Sequence, residues 1–390
     1  MAAAMTPAAR TQAAIDLLDG IIVAAREGGA AADTLISRYF AKRRYAGSKD
    51  RRAVRDQVYA AVRACGALPV SGRAAMLSLA SSEPAHLATF DGSPHGPAPV
   101  EAGEPIATGG VAPAWLIERL ARSGLEGEVE LDALLARAPL DVRLNPLLPD
   151  MPDIGGDPLS GLPHARRLPA GTSVAQYDGH VVVQDAGSQV VTLAADARPG
   201  QQLVDLCAGA GGKTLALAAA MANDGHILAC DTDRGRLQRL APRAAQAAVT
   251  IAETRLLDPG KELEGLADWQ GSADTVLIDA PCSGTGTWRR NPEARWRLTP
   301  DRLARLAETQ ARLLDIGARL VRPGGALVYI VCSLLDEEGA SQAAPFVRRH
   351  PGWAVEPLDL PAGHQHSKGW RLTPGTDATD GFFVARFRAP

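Results

Sequence analysis

Two cysteines and one carboxylate stand at or just beyond the ends of apolar, strand-like runs in this chain. One run ends at Asp279, with Cys282 following closely, and another ends immediately before Cys332. Upstream, residues 203–206 form a third run, followed by a glycine-rich turn and the start of a helix. Carbon-5 of cytosine is too weak a nucleophile for methylation until a thiolate adds at carbon-6. Two thiols and a carboxylate beside a cofactor-type turn are therefore what carbon-5 methylation requires.

The elements that must position these residues alternate between strands and helices beyond Gly200. Such alternation predicts a doubly wound parallel α/β sheet. Ligands of these sheets bind at the carboxyl ends of the strands, where Asp205, Asp231, Asp279 and Cys332 all fall. The predicted strands are residues 202–206, 226–230, 250–253, 275–279, 326–331 and 381–387, and the predicted helices lie near residues 213–223, 234–247, 300–321 and 337–350.

The glycine-rich turn by itself leaves its ligand open. Its glycines let the backbone approach a ligand, and the next helix offers free N–H groups. The turn could be a dinucleotide fingerprint or merely a tight turn. Asp231 could bind ribose hydroxyls or simply cap a helix. Asp258, after the third predicted strand, could accept a hydrogen bond from an adenine amino group or be an ordinary loop aspartate.

The N-terminal part of the chain reads as helical and locally basic. Apolar residues recur at helical spacing between Thr11 and about Ala67. On a chain of net charge −3, a basic cluster is either a solvated helix face or a surface for nucleic-acid phosphates. The cluster, called here the basic cluster, comprises Arg38, Lys42, Arg43, Arg44, Lys49, Arg51, Arg52 and Arg55.

Several kinds of protein are disfavoured by the composition. The five cysteines contain no CxxC pair, and their odd number argues against a disulfide framework. The histidines lack ligand spacing, so we expect no metal. No segment approaches the ~18 apolar residues of a membrane span, and the N-terminus lacks a signal-peptide pattern. We therefore expect a soluble, cytoplasmic protein without a membrane partner.

The motifs together resemble the RsmB/Nop/Sun family of RNA (cytosine-5)-methyltransferases, in particular the bacterial 16S ribosomal RNA branch. The resemblance covers roughly residues 112–388, and the pair of cysteine motifs is its most specific part. The basic N-terminus is similar to antitermination-factor-type RNA-binding domains, through residues 47–52 and 59–63. The motifs that carry the family resemblance are residues 143–145, 184–185, 205–214, 279–286, 289–293, 331–333 and 380–383.

This resemblance implies a Rossmann-like class I methyltransferase domain with an all-α N-terminal RNA-binding domain and a small α+β connecting subdomain. A length of 390 residues also predicts more than one domain. We expect a helical RNA-binding domain in residues 1–90 and a Pro/Gly-rich linker in 91–112. The connecting subdomain would then occupy residues 113–180, and the methyltransferase domain residues 181–390. A monomer is expected.

The resemblance also implies S-adenosylmethionine as the methyl donor and assigns roles to particular residues. Cys332 would be the nucleophile that adds to carbon-6, Asp279 would hold the base edge, and Cys282 would assist product release. The implied cofactor-binding residues are Cys207, Ala208, Gly209, Ala210, Gly211, Gly212, Lys213, Asp231, Asp258 and Asp279. The expected RNA contacts are Arg143, Asn145, Arg289, Arg290 and Arg295.

Two segments depart from the family pattern or allow a second interpretation. Ala210 stands where the family usually carries proline, and residues 334–339 replace a proline and a Glu-Glu-Asn run.

Trp288 and Trp296 are interleaved with arginines, which suits stacking of unpaired RNA bases. The same tryptophans could equally pack their segment against the rest of the protein.

Other functions stay open at this point. The RNA could be transfer RNA, or the chain could be a non-catalytic ribosome-assembly factor. DNA cytosine methylation would take its nucleophile from the Pro-Cys motif, whereas the additional Cys332 favours RNA. The fold alone would also allow a nicotinamide-dependent oxidoreductase.

Overall fold

The computed structural model describes residues 4–390, which divide into two compact units. The first, called here the helical unit, comprises the chain up to Ala136 together with Thr287–Thr299. The second, called the sheet unit, comprises Arg137–Gly286 and Pro300–Pro390. Both units are therefore built from separated stretches of sequence.

The helical unit contains six α-helices around an apolar core. Its first helix begins after Thr6, whose side chain accepts the N–H of Ala9, and ends at Gly28 in the left-handed region with φ 73°. Apolar residues at helical spacing, such as Leu18, Ile21 and Val58, are buried in the shared core. The helices are α1 (Pro7–Glu27), α2 (Ala32–Ala41), α3 (Ser48–Ala64), α4 (Gly72–Ser82), α5 (Ala114–Arg122) and α6 (Glu128–Leu135).

The Pro/Gly-rich stretch between α4 and α5 is packed onto the helical unit. Ala107 donates its N–H to the carbonyl of Ala74, and Gly66 donates to the carbonyl of Thr108. Arg73 on α4 forms an ion pair with Glu104 at 2.6 Å. The predicted linker is therefore an ordered part of this unit, and α5 and α6 belong to it as well, although the sequence suggested a separate subdomain beginning at residue 113.

Thr287–Thr299, called here the anchor segment, completes the core of the helical unit. Trp288 and Trp296 are both buried, and Trp296 lies in the apolar core of this unit. The fully buried Arg295 donates to the carbonyls of Val62 at 2.7 Å and Cys65 at 2.8 Å. The sequence had placed this segment in the C-terminal domain. Its buried side chains satisfy carbonyls of a helix more than two hundred residues earlier, which no local pattern predicts.

The sheet unit contains a small antiparallel sheet and a large mixed sheet. The small sheet has the strand order β2-β3-β1-β4 and the large one β11-β12-β13-β9-β8-β5-β6-β7, with β10 paired to β13. The strands are β1 (Leu140–Leu144), β2 (Asp157–Leu159), β3 (Leu162–Leu168), β4 (Val181–Val183), β5 (Gln201–Asp205), β6 (Gly225–Asp231), β7 (Ala252–Leu256), β8 (Ala273–Asp279), β9 (Val321–Val331), β10 (Ala354–Glu356), β11 (His364–His366), β12 (Gly369–Leu372) and β13 (Phe382–Arg388).

Helices cover the large sheet, and both of its faces are buried. On β8, Val276 and Ile278 enter one apolar core while Leu277 enters the other, as expected for central strands of an α/β sheet. The helices of this unit are α7 (Ala186–Thr192), α8 (Gly212–Ala220), α9 (Arg234–Leu237), α10 (Leu240–Gln246), α11 (Pro300–Leu320), α12 (Ala340–Arg349) and α13 (Pro374–Asp377).

Two details differ from the predicted pattern. The run β7-β6-β5-β8-β9 is parallel, but β13 pairs with β9 in the antiparallel direction, so the sheet is mixed. The helix predicted over residues 234–247 is divided into α9 and α10. Pro242 has no N–H to donate to the carbonyl of Gln238, which removes the hydrogen bond that a continuous helix would need there.

Within residues 4–390, no helix is both long and apolar enough to cross a lipid bilayer.

Candidate active site

The two motif cysteines meet at one edge of the large sheet. β8 and β9 are parallel neighbours, with Asp279 paired to Ile330, so their carboxyl ends lie side by side. Cys332 directly follows β9, and Cys282 follows β8 after a short turn. Their Sγ atoms are 3.3 Å apart, and both cysteines are free thiols. The geometry therefore gives two thiols that can act on one substrate atom or exchange one proton.

The surroundings of the Cys282 thiol stabilise its protonated form. The hydrogen bond with Cys332, followed by burial, raises the pKa of the Cys282 thiol well above its ordinary value. Cys282 is thus held protonated near neutral pH and can donate its S–H toward the Cys332 sulfur.

Asp279 and Lys213 form an ion pair close to the same strand ends. Lys213 lies in the first turn of α8, and its Nζ is 2.6 Å from Asp279 Oδ2. Lys213 is buried, whereas the Asp279 side chain keeps a third of its surface exposed. Asp279 also lines a cavity of about 460 Å³ together with Cys282 and Cys332. A base entering this cavity would meet the carboxylate and both sulfurs.

The glycine-rich turn between β5 and α8 is held by Asp231. Gly209 and Gly211 take left-handed φ values of 55° and 84°, and a Cβ on Gly211 would lie 2.6 Å from Leu240 Cγ. One oxygen of Asp231 accepts the N–H of Gly209 at 2.8 Å, and the other accepts that of Asp233 at 2.7 Å. The cap of α9 is Asp233, so the capping interpretation of Asp231 is wrong.

Asp205 is a further carboxylate at the strand ends, and the sequence did not predict a cofactor-binding role for it. It ends β5 and is fully buried; Thr214 donates to its Oδ2 at 2.7 Å, while Oδ1 has no hydrogen-bond partner. Burial raises the pKa of this carboxyl to about 7. Its position at a strand end was the signal that could have identified it.

These residues fit a cationic cofactor. Asp205, Cys207, Gly212 and Lys213 line a second cavity of about 180 Å³, which shares Cys207, Arg236 and Asp279 with the larger one. The sulfonium and ammonium groups of S-adenosylmethionine are positive, and nearby carboxylates stabilise such charges. Ala208, Ala210 and Gly212 supply the wall of the smaller cavity, and Asp231 lines the larger one. Asp258 is exposed and is absent from the described lining of both cavities.

Four of the five expected RNA contacts are buried. Asn145 donates to the carbonyls of Gly179 and Ala247, both at 2.9 Å, and Arg143 donates to Gln184. Burial lowers the pKa of Arg143 to about 10. Arg295 holds carbonyls of the helical unit, as described above, and Arg289 is buried in that unit too. The sequence predicted that these four side chains contact phosphates, and their burial corrects this to a structural role.

The structure also describes the fifth expected RNA contact and the two tryptophans beside it. Arg290, the fifth expected contact, is half-buried. Trp288 and Trp296 are both buried, Trp296 in the core of the helical unit, so neither presents a ring face to RNA bases. Across the described part of the chain, no group of three His, Cys, Asp or Glu side chains is placed to hold a metal ion.

Comparison with known proteins identifies the family. Residues 191–388, half of the chain, match the family described as 16S rRNA methyltransferase RsmB/F. The chain belongs to this family. A probable ribosomal RNA small subunit methyltransferase B of Synechocystis sp. is 35% identical over an alignment of 300 residues that covers 71% of this chain. That alignment spans 66% of the length of the Synechocystis protein, so the chain matches just under two thirds of this relative.

Solved structures agree with the fold. The crystal structure of PH0851 superposes with a TM-score of 0.76 over 99% of this chain and 100% of that one, at 24% identity. NSun6 from Pyrococcus horikoshii, crystallised with SFG, gives a TM-score of 0.51 at 26% identity over 58% of each chain. The family resemblance, the class I methyltransferase fold and the expectation of S-adenosylmethionine as methyl donor are thereby confirmed.

Proposed function

We propose that this protein methylates carbon-5 of a cytosine in RNA, with 16S ribosomal RNA as the substrate, through a covalent cysteine–cytosine adduct. The observation that carries the proposal is the pair of thiols, 3.3 Å apart, in a cavity that also contains Asp279. A methyltransferase acting on an amino group or a hydroxyl has no need of a thiol nucleophile. A pair of thiols suits a reaction in which one adds to the ring and the other helps to release it.

The roles of the residues follow from their positions. Cys332 forms a bond from sulfur to carbon-6 of the cytosine, and the ring electrons shift so that carbon-5 becomes nucleophilic. Asp279 holds the edge of the base, and Lys213 adds positive charge where negative charge builds up on the ring. S-adenosylmethionine supplies the methyl group. The carbon-5 proton then passes to a base with the assistance of Cys282, its electron pair re-forms the double bond between carbon-5 and carbon-6, and Cys332 leaves carbon-6 as a thiolate.

RNA as substrate is supported by the basic cluster on α2, α3 and the turn between them. Of its members, Arg38, Lys42, Arg44, Lys49 and Arg51 are exposed, as are Arg52 and Arg55. Arg43 stacks on Tyr39 at 3.6 Å from the ring centroid. Exposed cations on a chain of net charge −3 concentrate positive potential on one part of the helical unit. Such a surface attracts phosphates without reading sequence.

The direct test of the function uses the purified protein, S-adenosylmethionine with a labelled methyl group, and small-subunit ribosomal RNA from cells that lack the enzyme. Label recovered as 5-methylcytosine after nuclease digestion supports the proposal. Transfer RNA serves as the competing substrate. Label found only in transfer RNA would show that transfer RNA, rather than ribosomal RNA, is the substrate. Label in a nucleoside other than 5-methylcytosine would contradict methylation at carbon-5.

Neutralising part of the basic cluster should weaken RNA binding without changing the chemistry. Substituting glutamine for Arg51, Arg52 and Arg55 removes three cations, and each phosphate contact on a single strand contributes about 0.7 to the slope of log affinity against log salt. We expect weaker RNA binding and a slope shallower by about 2, measured by filter binding between low and moderate salt. Cofactor affinity should stay unchanged.

The matched control removes three exposed arginines that already pair with acidic neighbours, namely Arg122, Arg198 and Arg322. This control should keep the original slope. Equal slopes in both triple variants would show that the basic cluster is only a solvated face. Truncation at residue 112 is not an equivalent test, because it would remove α1 to α4 and expose Trp296 of the anchor segment.

A further inference from the structure

Each of the two cysteines is followed directly by a serine, and both serines face one buried carboxylate. Ser283 follows Cys282, Ser333 follows Cys332, and Glu338 lies in the turn before α12. All three side chains are buried, and Glu338 is fully so. Ser283, Ser333 and Glu338, with Gln310 of α11, are called here the serine–glutamate cluster.

The carboxylate of Glu338 holds the chain around both cysteines. Its Oε1 accepts the backbone N–H of Ser283 at 2.8 Å and the side-chain amide of Gln310 at 3.0 Å. Its Oε2 accepts the hydroxyls of Ser283 and Ser333, the latter at 2.5 Å. Gln310 also donates to the carbonyl of Pro281 at 2.9 Å. The residues on both sides of Cys282 and the residue after Cys332 are therefore tied, directly or through Gln310, to a single group.

A buried carboxylate that connects two loops carries a cost in folding free energy. Its ionised form loses the hydration of bulk water, and apolar residues of similar volume often give equal or higher stability. What the four hydrogen bonds provide, and apolar packing does not, is a fixed direction for each loop. The loops carry the two sulfurs, so the direction sets the distance between them.

We propose that Glu338 is a positioning residue for the two thiols, holding Cys332 in the geometry of attack. The proposal rests on the function proposed above. Glu338 is not one of the residues described as lining the cavity that contains the two sulfurs. It therefore acts through Ser283 and Ser333. A misplacement of about 1 Å at a reacting atom costs roughly 10²-fold in rate. Loss of the carboxylate should therefore slow adduct formation while leaving the binding of RNA and cofactor intact.

The test measures formation of the covalent RNA adduct in the whole 390-residue chain carrying Cys282→Ala, in which the adduct is expected to accumulate. Adding Glu338→Gln keeps the side-chain shape but replaces one acceptor by a donor. We expect the first-order rate of adduct formation to fall about 10²-fold at saturating RNA and cofactor. The dissociation constants of both should change by less than about twofold, a separation that general destabilisation would not produce.

Tyr329→Phe is the matched control. The Tyr329 hydroxyl donates to the backbone carbonyl of Glu338 at 2.5 Å, so this variant loosens the same turn without touching the carboxylate. It should form adduct at nearly the original rate. Thermal unfolding of each variant shows whether it is folded. If Glu338→Gln is not folded, Ser333→Ala replaces it in the test, because it removes one of the four hydrogen bonds. Adduct formation must then be slower in Ser333→Ala.

The outcomes separate the two proposals. An unchanged adduct rate in Glu338→Gln, or in Ser333→Ala where that variant decides, overturns the positioning role and leaves the proposed function standing. Equal slowing in Tyr329→Phe and Glu338→Gln overturns it as well, because the carboxylate would then contribute nothing specific. Absence of adduct in Cys282→Ala with Glu338 intact contradicts the proposed chemistry, and the positioning role falls with it.

Discussion

Cys332→Ala is expected to abolish methyl transfer to RNA. Without this sulfur no bond can form to carbon-6, and carbon-5 stays too weakly nucleophilic to take the methyl group. Removal of an enzymatic nucleophile lowers kcat by as much as about 10⁶-fold. Single-turnover transfer of labelled methyl groups to RNA measures the loss, and cofactor binding by titration should remain close to that of the unaltered protein.

The appropriate control is a cysteine of similar chemistry outside the site. Cys65 is buried in the core of the helical unit, and burial raises the pKa of its thiol to about 11, so it is inert near neutral pH. Cys65→Ala should lose some stability, on the order of 1 kcal/mol for a small cavity, and should keep near-normal turnover. Near-normal turnover in Cys332→Ala would refute the assignment of the nucleophile.

Cys282→Ala should have a different effect: the covalent adduct between Cys332 and RNA should form but fail to break down. Cys332 can still add to the ring and the methyl group can still move, whereas the assistance that Cys282 gives to release is lost. We expect a protein–RNA complex that survives denaturing gel electrophoresis and accumulates with time. A cysteine that merely packs would instead give a modest loss of stability and no such complex.

The double variant, Cys282→Ala with Cys332→Ala, identifies which sulfur attacks. It must show no complex, because the attacking sulfur is gone. A persisting adduct would mean that the nucleophile is elsewhere. Cys332→Ala alone, retaining Cys282, also tests the arrangement of DNA enzymes, where the Pro-Cys thiol attacks.

The residues of the proposed site could be selected from the sequence because their signals are local. Asp205, Asp231, Asp279 and Cys332 each end an apolar run or follow it directly, and parallel strands bring such ends to one edge. The pairing of Cys282 with Cys332 then follows from the adjacency of β8 and β9. The family and the class I fold were predicted correctly on the same basis.

The residues that the sequence misassigned or left open depend on contacts that are distant in sequence. Arg295 and Trp296 look like RNA-binding residues because basic and aromatic side chains alternate, and only the positions of Val62 and Cys65 reveal that they are interior. Asn145 is similar, since the carbonyl of Ala247 that it satisfies is remote in the chain. A pattern of residue types does not distinguish a donor aimed at phosphate from one aimed at a backbone carbonyl.

The anchor segment also has a consequence for the order in which the protein can fold during synthesis. The N-terminal helices leave the ribosome first, yet Trp296, which lies in their core, is made about 160 residues after Ala136. At 5–20 residues per second, translation takes on the order of ten to thirty seconds to reach it. For that interval the nascent helices present the apolar surface that Trp296 later covers. The helical unit therefore completes its core only after most of the parallel strands of the sheet unit have already emerged.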